Sequence, residues 1–420
     1  MSQKVIRAIL FIFFLFLFNL VIAEETKVRL VKVKEFSSYE EYEKWKGVVK
    51  KPPRIKIEGD TIKFFNEEGE VIKEKKFNKY DEQKAKEIRE KLKDESAEIQ
   101  YESVKIMPNE SGILLVKWSD FGIKGDSVRG IEIYDREGNL KGEIKDYFSL
   151  YPAPNGEYFI AFDVGEGTVV NILKVYDANG NLVYNQRPFD FYAQGLEITF
   201  SDDSRYAVIT IDGSLKDGDG IIVYDRETNS IWKVFNKEWM IPYNGVSLLK
   251  FNKGIIISTN KGMYRFSMEG KQVWHNEDVK YDEEKKVGWI SVFSVSPDEK
   301  DIVGYAWPGI LYILDAEKGN LIKKIELSDL TKYKSSDITI MNQNNYFLFK
   351  NRGVFEFTPT YEDLKFYRDI YLINKQGQFL WKIENVDISV DAELTENEEL
   401  VVKEVVKEKE KIFLYRIYKK

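Results

Sequence analysis

Between residues 212 and 220 the chain places three aspartates, Asp212, Asp217 and Asp219, the last two alternating with Gly218 and Gly220. Carboxylate oxygens on a glycine-bent loop are hard ligands that calcium accepts, although the twelve-residue EF-hand pattern is missing. A solvated acidic turn uses the same residues. Asp120 with Asp126 and Asp163 with Glu166 form two further acidic stretches. Paired carboxyls supply general acid and base for glycoside cleavage, so Asp163, Glu166, Asp212 and Asp219 are the candidates for a hydrolase or lyase acting on an extracellular polysaccharide or peptide. A second constellation is aromatic: Phe189, Phe191, Tyr192, Trp239, Tyr243 and Trp289 fall in three segments, 187–194, 237–244 and 281–289. Flat apolar rings with acidic neighbours suit sugar rings or a peptide strand. They also serve to cover the ends of packed strands.

Other chemistry is excluded by residue type. The 420 residues include no Cys and one His, His275. Thiol nucleophiles, thiolate metal sites and disulfides are therefore impossible, and multi-His metal sites with them. A Ser-His-Asp triad would rest on His275 alone, which follows Trp274 in a strand-like run where a packing or surface role is the simpler reading. Gly165-Glu-Gly167 and Asp217-Gly-Asp-Gly220 are hairpin glycines with no helix after them, so no phosphate or dinucleotide loop is present. No catalytic set is assigned.

Residues 1–23 stand apart. Lys4 and Arg7 precede an apolar run over 8–18, and Val21-Ile22-Ala23 suits a signal peptidase cutting before Glu24. The rival is an uncleaved anchor over 5–23, close to the roughly 20 residues that cross a bilayer. A lipoprotein is excluded, because lipidation at such a signal needs a Cys. Cleavage takes net charge from −7 to −9, which disfavours nucleic acid as a partner. The expected address is therefore exported, whether periplasmic, extracellular or cell-surface, with no membrane span after cleavage. The chain is 43% hydrophobic and 32% charged, and its scarce Cys and His beside abundant Lys and Glu lean toward heat-adapted composition.

The elements that must position these residues come from a repeat. From residue 130 onward a strand, a turn rich in Asp, Asn and Gly, and a second strand recur. The residues before those turns are Tyr134, Tyr176, Tyr224, Phe266, Leu314, Ile373 and Tyr415, at intervals of 42, 48, 42, 48, 59 and 42. A 42-residue unit with insertions matches a four-stranded propeller blade. Ahead of each marker lies another hairpin, as in 149–161, 197–209 and 291–303, so each unit has four strands.

Ser296-Pro-Asp-Glu-Lys300 resembles the turn of WD40-like blades, and Gly270-Lys-Gln-Val-Trp274 and Gly377-Gln-Phe-Leu-Trp381 resemble the G-x-x-x-W ending of quinoprotein (PQQ-type) blades. The resemblance covers residues 96–420 and implies an all-β propeller of four-stranded antiparallel blades, with Trp274 and Trp381 packed between neighbours. It reaches only blade-building residues and implies no quinone cofactor.

Seven markers imply seven blades, or eight if residues 26–77 make a degenerate one. The last blade ends after its third strand, so an N-terminal segment, 27–36 or 71–77, is expected to complete it and close the ring. Residues 81–96 have helical spacing at Ala85, Ile88 and Leu92. The expected organisation is thus a signal at 1–23, N-terminal strands and helix at 24–95, and the propeller repeats at 96–420. Turns at one end of the blades are short, whereas all long connections gather at the other end, where binding residues concentrate. The insertion at 355–369, rich in Phe and Tyr, belongs there too. These features together predict a non-catalytic binding or scaffold module for a protein, peptide or glycan in the cell envelope or outside.

Overall fold

In a computed structural model, residues 28–419 are described apart from 48–51, 94–98, 121–125, 146–148, 166–168, 189–194, 214–217, 243–244, 286–287, 328–337, 344, 352–366, 388–389, 396, 398 and 407–408. The signal segment and the 355–366 part of the insertion therefore lie outside the described residues. Seven four-stranded antiparallel sheets and one three-stranded sheet form among them. Six of the seven are built from consecutive strands spanning 99–144, 149–186, 195–236, 246–276, 292–326 and 338–387, here blades 1 to 6. First strands of successive blades lie beside one another, as Val292–Val295 does with Ile338–Gln343, so these are the inner strands of a ring. The fold is a β-propeller.

Blade 7 takes three strands from the end of the chain, Val390–Leu394, Glu399–Val406 and Lys409–Lys419. Its fourth is the N-terminal Val28–Phe36, which pairs with Val28 opposite Lys419 and Phe36 opposite Ile412. Of the two segments expected to close the ring, the first therefore does so. The second lies in the three-stranded sheet, Ile55–Glu58, Thr61–Phe65 and Val71–Lys76, which makes the eighth blade of the alternative count. Its Phe65–Val71 pairing and adjacent bulge repeat Tyr134–Leu140 in blade 1. These three strands thus take the second, third and fourth positions of a blade.

The middle strands of blades are buried on both sides, which explains why they read as continuous apolar runs rather than alternating ones. In Tyr206–Asp212, Val208 faces blade 4 beside Ile255 and Ile257, while Ile209 faces blade 2 beside Ile160 and Val175. Similar clusters join each blade to the next, from Ile62 and Phe64 against Ile113 and Leu115 to Leu348 and Leu372 against Leu400 and Val402. The free face of blade 7 is covered by a helix that the sequence analysis did not anticipate, Tyr39–Trp45, capped by Ser38. Its Tyr42 packs edge-on against Phe36 and beside Val401 and Leu414. The anticipated helix spans Glu82–Leu92, with Asp81 as its cap.

Turns between third and fourth strands share one chemistry. Asp135 accepts the N–H groups of Glu137 and Asn139, and Asp177 those of Asn179 and Asn181. Glycine follows where φ is positive, and the preceding blade reinforces that need. A Cβ on Gly319 would lie 2.5 Å from Trp274, and one on Gly270 2.9 Å from Trp232. The Trp274 indole donates to the Ala316 carbonyl of blade 5, so this tryptophan packs between blades as the resemblance implied. Trp381 packs at the contact of blades 6 and 7.

Candidate functional site

At the end carrying the long connections, Phe189, Phe191, Tyr192, Tyr243, Asp217 and Glu166 lie outside the described residues. Trp239 is 4% exposed, with its ring 4.8 Å from Tyr264 and in the core between blades 3 and 4. Burial of so large an apolar ring outweighs its exposure to a ligand, so Trp239 stabilises the scaffold and covers the end of packed strands rather than offering a binding face. Trp289 differs. It is half-buried at a φ of 50°, conformationally unfavourable for a bulky residue, and stands edge-on to Tyr281 with centroids 6.3 Å apart. Its backbone N–H donates to Val279, and its indole N–H, like that of Trp239, has no acceptor among the described residues.

Asp219 is 7% exposed, and its two carboxyl oxygens accept the N–H groups of Gly213 and Ile241. Burial pushes its carboxyl above the usual range, and the neighbouring Asp212 adds to this, while the two N–H groups oppose it. Asp219 therefore ties a loop inside blade 3 to the connection leaving it. Asp212 is exposed at the end of its strand. Asp163 lies in Tyr158–Gly165 opposite Ile172, and Asp120 lies opposite Asp126 across two strands of blade 1. No group of three or more His, Asp or Glu side chains converges among the described residues.

His275 occupies the outer strand of blade 4. Its ring stacks on Tyr264 with centroids 4.0 Å apart, and Nε2 lies 3.2 Å from the Lys261 carbonyl. Nδ1 faces Glu277 at 3.7 Å. Both ring nitrogens thus face structural neighbours.

The opposite end holds a cavity that sequence reasoning missed. About 410 Å³ in volume, it is bounded by the inner strands of blades 4, 5 and 6 and by the turns that follow them. Leu248, Phe293 and Met341 give it apolar walls, and Ser247, Ser294 and Asn342 polar ones. Asn342 is 3% exposed, and its side-chain oxygen has no donor among the described residues; the same holds for the Gln343 oxygen. Lys250 and Glu299 stand at the rim. Next to Lys250 along the turn, Phe251 is 86% exposed at a φ of 52°. The matching turn of blade 1 places Asn109 in that conformation, at 55°. A left-handed backbone costs an ordinary residue about 1–2 kcal/mol, and asparagine tolerates it best after glycine. The one legible signal was this phenylalanine inside a polar turn.

No protein-family model matches the chain, and no curated protein matches it. Among solved structures the chain is similar to BamB from Moraxella catarrhalis, 11% identical over 92% of this chain and 98% of that one, with a TM-score of 0.45. It is also similar to the β-propeller domain of Cps50 (Swd1) from Myceliophteria thermophila, 10% identical over 75% of this chain and 95% of that one, with a TM-score of 0.37. At such identities the likeness concerns fold alone. The blade topology itself carries the assignment.

Proposed function

We propose that this protein is an exported, non-catalytic propeller that binds a protein, peptide or glycan through the end carrying its long connections. The observation that carries the reading is Trp289. Its ring is half-buried on a backbone held in an unfavourable conformation, a cost that a rigid scaffold sustains where a ligand is met. The signal-like segment at 1–23 supports export. Asp219 and His275 support a non-catalytic role, since their polar atoms face neighbours that hold the blades together.

The test is affinity capture from envelope extracts of the source cell, with a Trp289→Ala variant as control and cross-links mapped on the captured complex. Trp289→Ala is expected to lose a partner that the parent retains, with cross-links at the long connections. Equal capture by both proteins, or turnover of an extracellular polysaccharide or peptide by the parent, would overturn the reading.

A further inference from the structure

We infer that the cavity at the short-turn end of blades 4, 5 and 6 is a second binding site, one that takes an extended peptide segment presenting a carboxylate beside an apolar side chain. This goes beyond the reading above, which concerns the opposite end. Two independent observations meet there. The first is the cavity of about 410 Å³ between three inner strands, within the roughly 300 to 1,000 Å³ usual for ligand sites. The second is Phe251, on the turn that forms its rim, with the ring 86% exposed and the backbone left-handed. Within the fold the exposed ring meets the Lys253 ammonium, 5.8 Å from its centroid, a contact too weak at a solvated site to offset both costs. Burial would stabilise a phenylalanine, and Asn109 shows that asparagine serves the same turn.

The chemistry of the lining selects the ligand. Leu248, Phe293 and Met341 receive an apolar side chain. Glu299 is neutralised by Lys253 at 2.6 Å, whereas the Lys250 ammonium reaches the Pro297 carbonyl, at 3.5 Å, and no carboxylate among the described residues. One positive charge therefore remains for a carboxylate. Asn342, whose amide N–H reaches the Asp301 carbonyl, and Gln343 close one side of the cavity, and their side-chain oxygens have no donor among the described residues. A neutral glycan would bring hydroxyls but no charge for Lys250.

The experiment pans a random dodecapeptide phage library on the full chain, then measures the selected peptides by fluorescence anisotropy on the parent, Phe251→Asn, Lys250→Met and Trp289→Ala. Peptides with an acidic residue beside an apolar one are expected to enrich. Phe251→Asn should weaken them at least tenfold while leaving Tm unchanged or higher, because the turn is relieved. Lys250→Met should weaken them and remove the salt dependence, and Trp289→Ala should bind normally. Failure to enrich any peptide, unchanged binding by Phe251→Asn, or a lower Tm for that variant would overturn the inference. Loss of binding in Trp289→Ala alone would place the peptide at the other end and overturn it as well.

Discussion

Asp219 accepts the N–H of Gly213 with one oxygen and that of Ile241 with the other, and its own N–H reaches the Trp239 carbonyl. Replacing it with alanine strands two backbone donors, so Asp219→Ala is expected to lose about 1–3 kcal/mol in a urea titration. The pH response has a definite sign. Because the folded carboxyl lies above its unfolded value, its contribution is whole at pH below the unfolded pKa and declines as pH rises through the folded one. Asp219→Asn, which cannot ionise, should flatten that part of the stability profile. An unchanged profile would mean that Asp212 or another group carries the charge. At this scale the sequence was legible in composition but not in direction. It placed Trp239 and Trp289 alike as aromatics between blades, yet one is core and the other stands in a left-handed turn, a difference set by backbone geometry that residue type does not encode.

The elements were far more legible, because each blade repeats one pattern of apolar runs and Asp–Gly turns. The closing strand was legible too, since a last blade ending after three strands requires a fourth. The helix Tyr39–Trp45 was not. Seven residues hold too few turns for helical periodicity to show, and its place is set by Tyr42 finding Phe36 and blade 7. Phe36, 1% exposed, joins strand, helix and blade. Phe36→Ala is therefore expected to cost about 3–5 kcal/mol. Hydrogen exchange should then rise first along Val28–Phe36 and Lys409–Lys419. Faster exchange confined to blade 1 would contradict this account of closure.

From the three-stranded sheet through blade 7, each sheet is joined to the next along the chain by an apolar cluster, and the three-stranded sheet is held to blade 1 partly by charge. Burial opposes ionisation of Glu132, but Lys117, the Tyr134 hydroxyl and Lys75 outweigh it and hold its carboxyl below the usual range. Lys75 comes from the three-stranded sheet and also lies over the Tyr134 ring. For a depressed carboxyl the contribution is present above its unfolded pKa and fades as pH falls through the folded one. Acidification below about pH 4 should therefore raise amide exchange over residues 55–76 ahead of the other blades, and Glu132→Gln should show that exchange already at neutral pH. Uniform exchange across all sheets would refute the weak-joint picture. The pairing of Val28 with Lys419 sets an order of assembly as well. On a ribosome the first strand emerges long before its partner exists, so it must wait unpaired while blades 1 to 6 stack one upon another, and the ring becomes a single cooperative unit only when the final strand arrives. Removing Val28–Phe36 would thus open the edge of Lys409–Lys419, whereas removing Lys409–Lys419 would open both Val28–Phe36 and Glu399–Val406, so lesions far apart in sequence would damage one blade.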